Sequence, residues 1–131
     1  MNWKLIFALS LFGLFMAIGT VYFISSKIEP FFWGGILLLD AILIARFAPG
    51  KFFVHGFATC LANCFWVTGA HVLLFSTYIV NHAEEMKMMA DWPLNTHPRI
   101  MMLLMGPVIG IVTGIILGAL SFGASKLFKR S

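Results

Sequence analysis

The chain consists of long, uninterrupted apolar blocks separated by short polar segments. Four such blocks lie at residues 5–24, 31–48, 52–80 and 100–122. Each block is long enough for an α-helix to cross a hydrocarbon core of about 30 Å at about 1.5 Å per residue. Membrane β-strands would instead be segments of about 10 residues in which apolar and polar positions alternate. The pattern therefore predicts four transmembrane helices.

These blocks define the predicted fold, which is an all-α integral membrane protein built as an antiparallel bundle of four transmembrane helices. We place the helices at approximately 5–24, 31–48, 52–80 and 98–122 of a single membrane domain, 1–131, with a loop at 81–97 and a basic tail at 123–131. The short turn 25–30 predicts that the first two helices are antiparallel neighbours. Thr96 is the expected N-cap of the fourth helix, and Pro98 fits its first turn.

The charge distribution predicts the orientation of these helices. Hydrophobic residues make up 60% of the chain and charged residues only 11%, with a net charge of +4, whereas about a quarter of the residues of soluble proteins are charged. If the helices alternate in direction, one side collects most of the basic residues, namely Lys4, Arg46, Lys51, Lys126, Lys129 and Arg130. The positive-inside rule then places both termini in the cytoplasm of a cytoplasmic (inner) membrane and the loop 81–97 outside. The basic tail is expected to lie against anionic lipid heads, so the lipid bilayer, and not nucleic acid, accounts for the charge.

Asp40 is the only carboxylate within the four predicted spans. A charged carboxylate in the middle of a bilayer costs about 2.5–3.5 kcal/mol even on the lenient insertion scale, so Asp40 is expected to face the other helices. One hypothesis is a cation or proton site formed by Asp40 with Asn63 and His71. The alternative is a structural Asp40 that hydrogen-bonds to Asn63, Thr68 or His71.

The third block carries a polar face in an otherwise apolar helix. On a helical wheel, Cys60, Cys64 and His71 lie in one narrow stripe, with Asn63 at its edge. His55 falls on the opposite side near Lys51, where it is expected to be an interfacial residue. The two cysteines lie one helical turn apart and are predicted to be free thiols that can share a soft or borderline metal, Cu or Zn.

Methionine adds soft ligands to this picture. The fourth predicted helix begins with Met101 and Met105, whose thioethers favour Cu(I), which makes them weaker candidate metal ligands. The alternative is that cysteine and methionine serve as adaptable apolar filler. The sequence is therefore compatible with a bound Cu or Zn cofactor but does not require one.

Four glycines recur at every fourth position of the last predicted helix, namely Gly106, Gly110, Gly114 and Gly118. Each step of four residues advances about 40°, so the glycines form a slowly winding groove, a glycine zipper against which another helix can lie closely. The neighbour is either a helix of the same chain or a second protein. A homo-oligomer or another membrane protein is therefore an expected partner.

Three functional hypotheses remain. The leading one is a small polytopic protein that binds or moves a small cation, proton or soft metal through a polar site between the second and third helices. The second is a non-catalytic assembly or accessory subunit that docks through the glycine zipper. The third is a membrane redox or lipid-modifying enzyme that uses Cys60, Cys64 or His71, and the absence of a recognised catalytic motif disfavours it.

Overall fold

The computed structural model describes residues 1–93 and 97–128, and the regular secondary structure of these residues is entirely helical. The six helices are α1 (Trp3–Tyr22), α2 (Glu29–Phe47), α3 (Phe52–Leu73), α4 (Phe75–Asn81), α5 (Ala83–Ala90) and α6 (Pro98–Phe128). Four of them, α1, α2, α3 and α6, are long and apolar enough to cross a membrane. The prediction of an all-helical protein with four candidate spans is confirmed.

The third apolar block forms two helices instead of one. The chain leaves helical geometry at Leu74, with φ of −98° and ψ of 28°, and α4 starts at the next residue. At the end of α4 the Asn81 side-chain amide donates to the Val21 carbonyl at 2.7 Å. This bond satisfies one of the carbonyl groups that the last turn of α1 leaves without a helical partner.

The predicted loop 81–97 and the predicted tail 123–131 also contain helix. Residues 83–90 form α5, and α6 runs on to Phe128. The Ser121 and Ser125 hydroxyls donate to carbonyls three or four residues earlier, each at 2.7 Å. The α6 helix begins at Pro98, as predicted, whereas Thr96, Lys129 and Arg130 lie outside the described residues.

The helices pack in an order that the connections do not reveal. The most extensive contact joins α3 and α6, while α1 packs along α3 and α2 packs along α6. The α2 helix touches α1 and α3 only slightly, so the first two helices are in contact but neither is the other's main packing partner. A short connection limits the distance between two helix ends, but side-chain packing decides which faces meet.

The four evenly spaced glycines of α6 lie against α3. A methyl group added at any of its four glycines would overlap an α3 side chain, in the order Thr68, Cys64, Phe57 and Phe53 from Gly106 to Gly118. On the α3 side, a methyl group on Gly56 would come within 2.8 Å of backbone atoms of Leu117 and Gly118. The two helices therefore touch through their backbones along this seam.

The beginning of α1 is fixed by His55, which is only 1% exposed. The Asn2 backbone N–H donates to His55 Nε2 at 2.9 Å, and His55 Nδ1 lies 3.0 Å from the Lys51 carbonyl. Since Nε2 accepts a hydrogen bond, Nδ1 carries the proton and donates it to that carbonyl. His55 is thus buried under the start of α1, and its expected depth near the membrane interface stays a prediction.

Candidate functional site

A cavity of about 290 Å³ lies between α2, α3 and α6 and extends to α4 and α5. Its volume is close to the lower end of the range for small-molecule sites. Its walls are mostly apolar, with a few polar groups on α3 and one carboxylate on α2. The described lining residues are Glu29, Trp33, Leu37, Cys60, Asn63, Cys64, Val67, Thr68, His71, Tyr78, Met89, Met102, Met105, Gly106, Ile109, Gly110 and Thr113.

The α2 wall of the cavity is one stripe of the helix. Glu29, Trp33 and Leu37 follow each other at intervals of four residues, so they share a face. The Trp33 indole N–H donates to Glu29 Oε1 at 3.2 Å, which holds both side chains at the same end of the cavity. We call this end, where α4 and α5 also lie, the α5 end.

Asp40 continues the same α2 stripe one turn beyond Leu37, further from the α5 end. It is 0% exposed, and neither carboxylate oxygen has a hydrogen-bond partner among residues 1–93 and 97–128. Asp40 is not among the residues that line the cavity. Ala41, the next residue of α2, belongs to the same buried cluster as Cys60, which does line the cavity. The predicted hydrogen bonds from Asp40 to Asn63, Thr68 or His71 are thus not formed.

The α3 wall brings together the polar groups that the sequence placed on one stripe. Asn63 is only 4% exposed, and both polar atoms of its amide lack a partner within the described part of the chain. On its other side the amide is packed against α1, where a methyl group on Gly13 would come within 2.5 Å of Asn63 Oδ1. His71 Nε2 is likewise buried and unpartnered among the described residues. Asn63 and His71 therefore bring unused hydrogen-bonding capacity to the cavity wall.

Three aromatic rings stack across the break between α3 and α4. The Tyr78 ring lies between His71, at a centroid distance of 4.4 Å, and His82, at 4.2 Å. His82 is 1% exposed and its Nδ1 lies 3.2 Å from the Tyr78 carbonyl. Tyr78 lies on α4, beyond the candidate span of α3, and burial together with the carboxylates of Glu29 and Glu85 raises its pKa above the ordinary value. The phenol therefore stays protonated and can donate a hydrogen bond.

The sulfur-containing residues predicted as metal ligands are only partly brought together. Cys60 and Cys64 are free thiols in the α3 wall, and the Cys64 thiol donates to the Gly106 carbonyl at 2.8 Å. Met105 lines the cavity, but Met101 does not and is 4% exposed elsewhere. Within residues 1–93 and 97–128 no group of three or more His, Cys, Asp or Glu side chains is arranged to hold a metal ion.

Sequence reasoning missed the α2 wall and part of the α5 end. Glu29 and Trp33 form an i,i+4 pair on the stripe that carries Asp40, and this spacing is visible in the sequence. His82 follows Tyr78 by four residues, which also places the two on one helix face. The sequence does not predict that Met89 and Met102 line the cavity, because only the packing of α5 and α6 brings them there.

These features define a class of protein: an all-helical chain with four candidate membrane-spanning helices and a cavity between three of them. Comparisons with protein-family models, with curated proteins and with solved structures found no match.

Proposed function

We propose that this protein binds and moves a small cation, most simply a proton, through the cavity and Asp40. In this proposal Asp40 is the group that gains and loses the cation. Asn63 and His71 supply hydrogen bonds in the cavity, between Asp40 and the α5 end. The proposal rests on the buried side-chain oxygen and nitrogen atoms that have no hydrogen-bond partner. Among the described residues, every buried side-chain oxygen or nitrogen without a partner belongs to Asp40, Asn63, His71 or His82.

Such atoms are costly, and this cost is the reason to look for an occupant. A buried polar atom left without a hydrogen bond costs about 1–3 kcal/mol, so nearly all buried polar groups in folded proteins are paired. A carboxyl, an amide and an imidazole without partners, in and beside one cavity, can together bind water, a proton or a small cation. Polar and ionisable groups within membrane spans commonly mark ion pathways.

The proposed orientation places the α5 end of the cavity outside and both termini in the cytoplasm of an inner membrane. It rests on the positive-inside distribution of Lys and Arg. The connections at the α5 end then carry four carboxylates, Glu29, Glu84, Glu85 and Asp91, against three basic side chains, Lys27, Lys87 and Arg99, a small excess of negative charge. Negative charge at this end raises the local concentration of cations.

A soft metal is the second form of this proposal. The thiols of Cys60 and Cys64 and the thioether of Met105 lie in one cavity lining, and these donors suit Cu(I). Zinc would need further nitrogen or oxygen ligands to complete a tetrahedron. Elemental analysis after gentle purification, followed by a thermal shift with Cu⁺ and Zn²⁺, tests this form separately from proton movement.

The assembly function stays a weaker proposal. The glycine zipper is packed against α3, so a homo-oligomer or a docked membrane protein would have to use another surface of the chain or displace α3. No described contact favours one such surface.

The test is transport by the purified protein in proteoliposomes with an internal pH-sensitive dye. We expect H⁺ flux under an imposed potential, and we expect Asp40→Asn to abolish it because an amide cannot release a proton at this site. Asp91→Asn is the matched control, since Asp91 is exposed beside α5 and the substitution is chemically the same. Circular dichroism confirms that both variants are folded.

Two outcomes would contradict the proposal. One is the absence of transport of H⁺, Na⁺, Cu⁺ and Zn²⁺ by the native protein. The other is transport that Asp40→Asn leaves at the native rate.

A further inference from the structure

The cavity is larger and more apolar than the movement of a proton requires. A volume of about 290 Å³ corresponds to roughly ten water molecules at about 30 Å³ each. A proton pathway needs a file of polar groups or waters, whereas most of the surface that this lining presents to the cavity is apolar. The walls therefore suit an organic molecule, and this inference goes beyond the proposed ion movement.

The apolar part of the lining is suited to a polarisable or cationic guest. The indole of Trp33 and the phenol of Tyr78 present aromatic groups, which attract cations through their π electrons. Met89, Met102 and Met105 add flexible thioethers that adapt to irregular apolar shapes. Leu37, Val67 and Ile109 add aliphatic side chains to the same lining.

The charge of the cavity has one sign. Glu29 is the only residue of the described lining that carries a formal charge at neutral pH when histidine is neutral, and neither Lys nor Arg is among those lining residues. Asp40 lies one helical turn beyond Leu37 on the same stripe. Glu29 is half-buried, and in such surroundings its carboxylate attracts a cation more strongly than a fully exposed one does.

A polar side chain points to a ligand independently of this charge. Asn63 lines the cavity, is 4% exposed, and has neither its oxygen nor its nitrogen bonded among the described residues. A guest with a polar group beside its cationic end can use this amide. An anionic guest would be repelled by Glu29.

We propose that the cavity is a binding site for a small apolar organic cation, such as a substituted ammonium ion. The apolar body lies among Trp33, Tyr78 and the methionines, and the positive group lies toward Glu29. The site does not depend on whether Asp40 carries ions across the membrane. The two proposals can therefore be tested separately. Organic cations can fail to bind at equilibrium although the protein transports H⁺, and they can bind although it transports none.

The experiment uses the full chain in nanodiscs of zwitterionic lipid and measures binding by equilibrium dialysis against empty nanodiscs. The probes are benzyltrimethylammonium, the neutral N,N-dimethylbenzamide of similar size, and the anion benzoate. We expect saturable binding of one benzyltrimethylammonium per chain. The affinity of the neutral amide should be lower than that of the cation by at least about tenfold, because the amide lacks the charge that Glu29 and the aromatic groups recognise.

Two variants locate the site. Glu29→Gln should weaken binding of the cation by about tenfold while leaving the amide unaffected, because Gln keeps an oxygen for the Trp33 N–H but loses the charge. Glu84→Gln is the matched control, since Glu84 is exposed on α5 and does not line the cavity. Val67→Phe fills the cavity from the α3 wall and should abolish binding even if Glu29→Gln does not fold.

Three results would overturn the proposal: no saturable binding of the cation, equal binding of cation and amide, or unchanged cation binding in Val67→Phe. Equal binding would mean that the cavity recognises shape and hydrogen-bond acceptors through Asn63 and His71, and not charge.

Discussion

Replacing Gly56 by alanine adds one methyl group at the point where α3 and α6 touch through their backbones. The new Cβ would lie 2.8 Å from the Leu117 carbonyl group and 2.8 Å from the Gly118 nitrogen. Ordinary carbon contacts lie at about 3.5–4.0 Å, so the helices must separate locally by about 0.7–1.2 Å. No side-chain rotation can relieve the overlap, because the opposing atoms are backbone.

The cost of this separation can be set against the gain in helix propensity. A gap of about 0.5–1 Å forfeits a quarter to a half of the dispersion energy of each affected contact, and overpacking a seam costs about 1–3 kcal/mol. Alanine is better than glycine within a helix by about 0.5–1 kcal/mol. We therefore expect Gly56→Ala to lower the free energy of unfolding by about 0.5–2 kcal/mol.

Gly35→Ala is the matched control, because a methyl group added at Gly35 on α2 meets nothing within 4 Å. It should keep the propensity gain without the overlap, so the two variants should differ by about 1–3 kcal/mol. The assay is reversible unfolding in mixed micelles with increasing sodium dodecyl sulfate, followed by far-ultraviolet circular dichroism. Equal stability of the two variants would refute the close approach of α3 and α6.

Three further predictions concern polar groups. Asp40→Val should raise the free energy of unfolding by about 1–3 kcal/mol in the same titration, because it removes an unpartnered carboxyl; a loss of stability would show that the carboxyl has a partner. His55→Phe should speed amide hydrogen exchange in the first turn of α1, since the Asn2 N–H loses its acceptor, and unchanged exchange there would count against the bond. Cys64→Ser should be more stable than Cys64→Ala by about 0.5–1.5 kcal/mol, because the hydroxyl can still donate to the Gly106 carbonyl, and equal stabilities would exclude that role.

The sequence predicted the helical class and the four spans because bilayer thickness sets the length of an apolar block. It did not predict which helices touch. Lipid chains are as apolar as leucine side chains, so hydrophobicity does not distinguish the face of a helix that meets another helix from the face that meets lipid. For this reason the pairing of α2 with α6, and the burial of His55 under α1, could not be read from composition.

The candidate site was predictable where one helix supplies the residues. Periodicity alone placed Cys60, Asn63, Cys64 and His71 on one side of α3, and the structure has these four in the lining of one cavity. The position of Asp40 relative to these side chains depends on how α2 packs against α6. The spacing of residues within α2 gives no information on that packing. The break at Leu74, beyond which the Tyr78 ring lies against His71, likewise carried no sequence signal.

The pairing of α2 with α6 has a consequence for biosynthesis. When Phe47 at the end of α2 has been made, 81 residues must still be added before Phe128 completes α6. At about 5–20 residues per second this interval lasts about 4–16 s. During this time Asp40 on α2 is without the helix that provides most of the contacts of α2 in the folded protein. The insertion machinery, and not the finished fold, must therefore tolerate that carboxyl first.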